Sequence, residues 1–506
     1  MQLSISFPNL SLRACELIAT GLAPVVQRLL HYSNSGRFLN DGSSAEAVKP
    51  LGQAQGRKKL QPLRERSRGP KGEVVTTILR AVIILIIVTS KPSTASAENW
   101  PQWRGPRGTG VSNESRLPLV WNEKRGLLWK RDLPGWGAST PIVWGDAVFV
   151  TSHDDKGQLS LQRLDSVTGE TFWNRIVGEG QAPRSGPPRS QQKFHALHNL
   201  ASPSPITDGK RVVVHFGNGD LACYDFAGTQ IWKRNLQADY GAYTIWWGHA
   251  NSLVVIGNAV ISVCLQDSLE DVRATPVDSY VVAHDLRDGH ERWKTKRKTA
   301  AKAEACDAYT TPLLVEFEGK RQLIVSGGNQ LDAYDPITGK QLWYYSELNG
   351  GRTVTGATHE EGLVFATAGM KSELVAVALG KSGQLNRRDV LWRFEQGTPD
   401  TCCPVVWNRL LFTITDDGIA RCCDALTGQF KWRERLKGEY KASPVVAGGR
   451  IFFLNMTGLC TVVSAMPKFD RIIENQLDDE TIASPAISDG KIFIRGKKAL
   501  YCVGSE

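Results

Sequence analysis

Two histidines and two pairs of adjacent cysteines are the residues of this chain whose types and spacing could do chemistry. His195 and His198 have the spacing of two metal ligands only if the segment that holds them is helical. That segment follows a proline-containing stretch, and no cysteine or third histidine stands beside it. We therefore predict no metal site and interpret His198 as a hydrogen-bonding residue.

The adjacent cysteines admit three interpretations. Cys402-Cys403 and Cys422-Cys423 could each form a strained vicinal disulfide, could be bridged to one another, or could pack as small apolar residues in strands. Neighbours in a strand point to opposite faces, which disfavours a bond within the second pair. Nine cysteines follow Cys15, and an odd number leaves at least one thiol free, so we favour packing.

Catalytic motifs do not add to this set, because the sequence has no Gly-x-Ser-x-Gly, no phosphate-binding loop and no His-Glu-x-x-His. An acidic group inside an insertion is interpreted as a charged surface loop; it comprises Asp267, Glu270, Asp271 and Asp278. Any chemistry must come from residues that the fold brings together.

A repeated sequence motif, Asp-x-x-Thr-Gly-x-x-x-Trp, predicts the elements that position these residues. It begins at Asp165, Asp335 and Asp424, and looser copies begin at Asp225 and Asp285. Short apolar runs lie between the copies of the motif. Most repeat units begin with a small residue followed by proline, and each unit is predicted to form four short strands. We expect the Asp to accept turn N–H groups, the Gly to adopt a left-handed turn, and the Trp to pack between neighbouring sheets.

The spacing of the units predicts a closed ring. Tryptophans mark the fourth strands at Trp129, Trp173, Trp232, Trp293, Trp343, Trp392 and Trp432. The last unit, 484–503, has only three strands, whereas 127–131 is a fourth strand without its own unit. Joining the two removes open sheet edges. The predicted fold is all-β, an eight-bladed β-propeller closed by an N-terminal strand that pairs with the C-terminal blade, and we expect a monomer.

These units resemble the repeats of the pyrroloquinoline-quinone (PQQ) enzyme-like β-propellers, within the quinoprotein alcohol dehydrogenase-like superfamily, from about Trp100 to Val503. The segment from Trp100 to Pro106 also resembles exported bacterial proteins of this group with unassigned function. One branch of the family comprises dehydrogenases that bind PQQ and usually Ca²⁺ over the channel mouth, where a vicinal disulfide lies near the cofactor. Another branch is the outer-membrane assembly propeller, a lipoprotein scaffold without a cofactor.

The chain departs from both branches. It has no cysteine between residues 16 and 222, so the lipidated cysteine of the scaffold has no counterpart. It lacks the large insertions of the dehydrogenases, and no Cys-x-x-Cys-His implies a c-type haem.

In a propeller, the segments before the innermost strands meet at one mouth of the axial channel. Aromatic and polar residues there could form a small-molecule pocket, although a solvated funnel would have the same composition. The residues that we predict to bind a cofactor or ligand are His198, Asn199, Trp247, His249, Tyr309, Arg352, Cys402, Cys403 and Lys441.

The N-terminal part of the chain is predicted to lie outside the fold. Residues 1–73 form a basic leader that we interpret as disordered or untranslated, and residues 74–97 form a signal peptide or membrane anchor. An N-terminal extension covers 98–126, and the PQQ-like propeller covers 127–506. The leader carries most of the net charge of +10, so we predict no nucleic-acid partner.

We therefore predict an exported or periplasmic propeller that acts as a binding or scaffold module in the cell envelope. Its partner is an envelope protein or a small ligand at the mouth, and it contacts the membrane only through an uncleaved leader. The alternative is an oxidoreductase that uses PQQ and Ca²⁺ to oxidise alcohols or sugars.

Overall fold

A computed structural model describes residues 98–184, 193–266, 278–369 and 372–505. The described strands form eight sheets, and the predicted all-β, eight-bladed β-propeller is confirmed. The predicted leader, signal peptide and most of the acidic insertion lie outside the described residues. Among the residues described, no helix has both the length and the apolar character that crossing a membrane requires.

The first four blades follow one another along the chain. Blade 1 contains β2 (Ile142–Trp144), β3 (Ala147–His153), β4 (Gln158–Asp165) and β5 (Thr171–Glu179). Blade 2 contains β6 (Ile206–Thr207), β7 (Arg211–His215), β8 (Asp220–Asp225) and β9 (Gln230–Asn235). Blade 3 contains β10 (Val254–Ile256), β11 (Ala259–Cys264), β12 (Ser279–Asp285) and β13 (Glu291–Arg297). Blade 4 contains β14 (Leu313–Phe317), β15 (Lys320–Gly327), β16 (Gln330–Tyr334) and β17 (Gln341–Tyr345).

The remaining blades complete the ring, and blade 8 takes its outer strand from the N-terminal side. Blade 5 contains β18 (Thr358–Glu360), β19 (Leu363–Thr367), β20 (Leu374–Ala378) and β22 (Val390–Phe394). Blade 6 contains β23 (Val405–Trp407), β24 (Leu410–Ile414), β25 (Ile419–Asp424) and β26 (Phe430–Arg435). Blade 7 contains β27 (Val445–Ala447), β28 (Arg450–Leu454), β29 (Leu459–Ser464) and β30 (Arg471–Gln476). Blade 8 contains β31 (Ala486–Ser488), β32 (Lys491–Arg495), β33 (Ala499–Val503) and β1 (Leu127–Asp132).

Helices are short and few in the described ranges. They are α1 (Leu236–Tyr240) and two 3₁₀ turns, Ala303–Cys306 and Arg387–Asp389. Strand β21 (Gly383–Leu385) leaves blade 5 and pairs in parallel with the outer edge of β17, so blade 4 has five strands.

Each tryptophan of the repeat packs against the next blade. A Cβ at Gly289 would lie 2.8 Å from the ring of Trp232, so the ring occupies space that only glycine leaves open. The same ring donates from Nε1 to the carbonyl oxygen of Leu286 at 3.0 Å. We call the boundary between two neighbouring blades a seam. Trp129, Trp173 and Trp392 repeat both contacts at their own seams.

The tryptophan of blade 4 departs from this hydrogen-bonding pattern. Trp343 donates instead to Gln322 of its own blade at 2.8 Å, because the unit after it lacks the Asp-x-x-Thr-Gly turn.

The small residue that opens each unit forms a second inter-blade contact near the axis. The backbone N–H of Thr140 donates to the hydroxyl of Ser204, the equivalent residue of the next blade, at 2.9 Å. Six such links are present, and in one of them the thiol of Cys403 accepts from Gly356. We call this the inner belt, and its members are Thr140, Ser204, Ser252, Thr311, Gly356, Cys403, Ser443 and Ser484.

The N-terminal extension crosses the innermost strands. Trp100 pairs with Val143 of blade 1, and Val111 pairs with Val446 of blade 7. Between them the fully buried Arg104 donates to the carbonyl oxygens of Thr109, at 2.7 Å, and of Pro404. The extension is therefore part of the propeller core.

We expect Trp232→Ala to lower the free energy of unfolding by about 3–5 kcal/mol, because it empties a buried seam. Urea denaturation would measure the change. Its neighbour Ile231 is 41% exposed, so Ile231→Ala is expected to change stability by less than about 1 kcal/mol. Equal effects of the two substitutions would contradict the seam's role.

Candidate functional site

A cavity of about 280 Å³ lies where the segments before the innermost strands converge. All eight blades contribute to its lining through the residue that stands two positions before the inner-belt residue. These eight residues are Ala138, Ser202, Ala250, Tyr309, Val354, Thr401, Lys441 and Ile482. The remaining lining residues come from the same segments and are His195, Leu197, His198, Trp247, Arg352 and Asp400. We call this the mouth cavity.

One side of the mouth cavity is aromatic. The ring of His195 meets Trp247 edge to face with centroids 5.6 Å apart. The backbone N–H of Trp247 donates to the Tyr309 hydroxyl at 3.2 Å, and its indole nitrogen donates to Glu304 at 2.8 Å. Lys193 lies over the Trp247 ring, 4.4 Å from the centroid. These contacts hold the tryptophan in one orientation.

Other residues around the mouth cavity are charged and already paired. Arg352 donates to the Asp400 carboxylate at 3.0 Å. The ammonium of Lys441 pairs with Asp416, which also accepts from the hydroxyl of Thr401 at 3.0 Å. The cations are thus held in place while remaining at the cavity surface.

The histidines of the mouth cavity are held neutral. Burial lowers the pKa of His198 to about 4, although its ring nitrogen is hydrogen-bonded to the carbonyl oxygen of Trp247. The pKa of His195 is also lowered, first by burial and then by the positive charges of Lys441, Arg352 and Arg184. Three cations therefore act on this ring, and two of them, Arg352 and Lys441, are themselves paired with carboxylates.

Five of the nine residues predicted to bind a ligand line the mouth cavity: His198, Trp247, Tyr309, Arg352 and Lys441. The other four are buried behind its wall. Asn199 holds a turn, because its side chain accepts from Ala201 N–H at 3.0 Å and donates to Trp136. His249 is hydrogen-bonded to the carbonyl oxygen of Val263 and stacks on Tyr243.

The cysteine pairs are part of the packing. Cys403 is the inner-belt member of blade 6, and the Cys402 thiol donates to the carbonyl oxygen of Ala442 at 3.4 Å. All nine cysteines in the described part of the chain are buried free thiols, so the structure has neither vicinal disulfide nor a bridge between the pairs.

Nine lining residues stand outside the predicted ligand-binding set: His195, Asp400 and seven residues that are apolar or small, namely Ala138, Leu197, Ser202, Ala250, Val354, Thr401 and Ile482. A positional signal was available for six of them, because counting two residues back from each belt residue finds all members of the ring. Residue type alone could not identify these residues, since alanine and valine carry no chemical signal.

A metal centre is not formed by the residues described, which include no group of three or more His, Cys, Asp or Glu side chains suited to a metal ion. Calcium requires about six to eight oxygen ligands. Asp400 and Asp416, two of the acidic groups beside the mouth cavity, are each already in an ion pair.

A family model described as outer membrane protein assembly factor BamB matches residues 111–269, 277–401 and 381–471. No curated protein matches the chain.

Solved structures share the fold at low sequence identity. BamB from Moraxella catarrhalis is 11% identical, with a TM-score of 0.52, and the match covers 74% of this chain and 99% of that one. Quinohemoprotein alcohol dehydrogenase from Comamonas testosteroni is 12% identical, with a TM-score of 0.60, and covers 81% of each chain. A europium-containing methanol dehydrogenase is 12% identical, with a TM-score of 0.58, covering 80% of this chain and 89% of that one.

Acid is expected to destabilise the fold through His249. Burial lowers its pKa from 6.5 to about 4, so the folded protein favours the neutral ring, whose stabilising effect is present above pH 6.5 and is lost as the pH falls toward 4. Protonation would also place a charge 4.5 Å from the His215 ring centroid. When the pH falls from 7.5 to 4, we expect the free energy of unfolding of His249→Gln to fall by about 3 kcal/mol less than that of the unsubstituted protein.

Urea denaturation at several pH values would measure this difference. His290→Gln is the matched control, because the side chain of His290 is 85% exposed. An unchanged pH dependence in His249→Gln would show that other groups cause the acid sensitivity.

Proposed function

The chain belongs to the family of the outer membrane protein assembly factor BamB, and from this premise we propose that it is a binding propeller of the cell envelope. In this proposal the propeller is a rigid scaffold, and its mouth cavity binds a small anionic ligand or an anionic group of a partner. The proposal treats the protein as a binding module rather than an enzyme.

The observation that supports the proposal most directly is the ring of eight equivalent residues around the mouth cavity. Five of its members, Ala138, Ser202, Ala250, Val354 and Ile482, have short or apolar side chains that leave space. Lys441 and Tyr309 supply polar groups, and Trp247 supplies an aromatic surface. A mostly apolar cavity with a few fixed polar groups is typical of small-molecule sites.

A second candidate function is oxidation by a PQQ-dependent enzyme. The cationic residues Arg352 and Lys441 and the ring of Trp247 suit a planar, anionic quinone, which PQQ supplies as a redox cofactor. Calcium fits less well, because the two carboxylates of Asp400 and Asp416 fall short of the roughly six to eight oxygen ligands that calcium takes. Cys402 and Cys403 are buried and do not line the mouth cavity, so they do not support a cofactor contact.

We expect no oxidation of alcohols or sugars when PQQ and Ca²⁺ are added to the purified protein with an artificial dye acceptor. Absorbance of the dye would follow the reaction, with a PQQ-dependent dehydrogenase as a positive control. Dye reduction that depends on both PQQ and Arg352 would establish the oxidoreductase and overturn the binding proposal.

Trp247→Ala is expected to weaken binding of small aromatic carboxylic acids at least about tenfold, because it removes the aromatic side of the mouth cavity. Isothermal titration calorimetry with benzoic and naphthoic acids would measure this, and the uncharged amides should bind more weakly. Trp246→Ala is the matched control, since its ring lies outside the lining. Equal binding by both variants would place the site elsewhere.

A further inference from the structure

The seam between blades 5 and 6 differs from other seams at its outer end. At three seams an arginine two residues after the tryptophan donates to the carbonyl oxygen of the next blade's glycine, as Arg175 does to Gly228 at 2.8 Å. At this seam Phe394 holds that position, and its ring stacks on Phe430 with centroids 4.6 Å apart. The stack is open to solvent, because Phe430 is 53% exposed.

Two arginines lie on blade 6, which also carries Phe430. Arg421 and Arg433 are directly opposite each other in the register of β25 and β26. Within the part of the chain that the structure describes, neither of them forms an ion pair, whereas Arg435 of the same strand pairs with Asp417. Like charges at opposite positions destabilise a sheet, so this pair favours an anion beside it.

The structure holds Arg421 at this seam. Its guanidinium lies against Gly397, where a Cβ would be only 2.0 Å from a guanidinium nitrogen. Gly397 follows the blade 5 strand that carries Phe394, so the aromatic stack and the arginine pair line one continuous seam. Burial, together with the charge of Arg433, lowers the pKa of Arg421.

Blades 5 and 6 also carry exposed apolar residues, as other blades do at the same repeat positions. Leu391 and Leu426 are each 45% exposed, and their counterparts Ile231 and Ile337 are 41% and 58% exposed. This seam is distinguished by an exposed phenylalanine together with two arginines that form no ion pair among the described residues, and both residue types are enriched at protein interfaces. The combination indicates a partner that carries both apolar and acidic side chains.

We propose that the seam between blades 5 and 6 is a docking surface for an acidic segment of a partner protein. Carboxylates of the segment pair with Arg421 and Arg433, and an apolar side chain packs on Phe430. The surface favours a short peptide over a nucleic acid, because it pairs two arginines with the exposed Phe430, whereas a phosphate backbone is bound by a wider cluster of basic residues.

The test uses the whole chain and two labelled probes. One is a hexapeptide of alternating Glu and Phe, and the other is a single-stranded oligonucleotide; a hexapeptide of alternating Lys and Phe is the charge control. Fluorescence anisotropy would give the dissociation constants. We expect the acidic peptide to bind, the basic peptide not to bind, and the affinity to fall with added salt.

Arg421→Glu with Arg433→Glu is expected to raise the dissociation constant of the acidic peptide at least about tenfold, and Phe430→Ala several-fold. If charge reversal disturbs the sheet, the neutral double variant Arg421→Gln with Arg433→Gln replaces it, and we expect this variant to weaken peptide binding to a smaller degree. Lys320→Glu with Arg321→Glu alters the charge equally at two exposed residues of blade 4 and should change binding less than about twofold.

Three results would overturn the proposal. The acidic peptide could fail to bind at millimolar concentration, the blade 4 variant could weaken binding as much as the seam variant, or the oligonucleotide could bind more tightly through the same arginines. The last result would identify a nucleic-acid surface instead.

Discussion

The contact between neighbouring blades is the constraint on which the rest of the structure depends. A four-stranded blade cannot bury both of its faces alone, so each must be covered by its neighbours around a closed ring. The tryptophan ring against a glycine and the indole hydrogen bond fix one blade against the next at its outer end, as at Trp232 and Gly289. The inner belt does the same near the axis, and together the two contacts set the spacing of the segments that form the mouth cavity.

Much of the ring could be predicted from the sequence, because these contacts use few residue types at constant spacing. Glycine at Gly289 has a positive φ of 75° and leaves room for an indole, so its place in the repeat is a direct physical requirement. The three-stranded last unit and the orphan strand at Trp129 predicted the composition of blade 8, and β1 pairs with β33. Strand β21 could not be predicted, because its parallel pairing depends on the path of a loop between blades.

The mouth cavity was predicted less completely for a different reason. Position in the repeat brings the segments together, but residue type does not tell which side chain of a segment faces the axis. Lys441 and Cys403 were both expected there, yet the cysteine stands in the belt register and the lysine two residues before a belt residue. In this fold, a shift of two positions along the segment distinguishes a side chain that makes a structural contact from one that could contact a ligand. A chemical motif search does not detect that difference, because it is one of register.

The departures from the repeat concentrate in one sector of the ring. Blade 5 has Gly356 where other blades have a hydroxyl or thiol, and the ring of Trp103 from the N-terminal extension fills part of that space. The same blade gives up β21 to its neighbour and carries Phe394 at a position where three other seams have an arginine. Natural sequences depart from local consistency chiefly where another requirement acts. The N-terminal extension accounts for Gly356 on the inside, and an external partner would account for the arginine and phenylalanine seam on the outside.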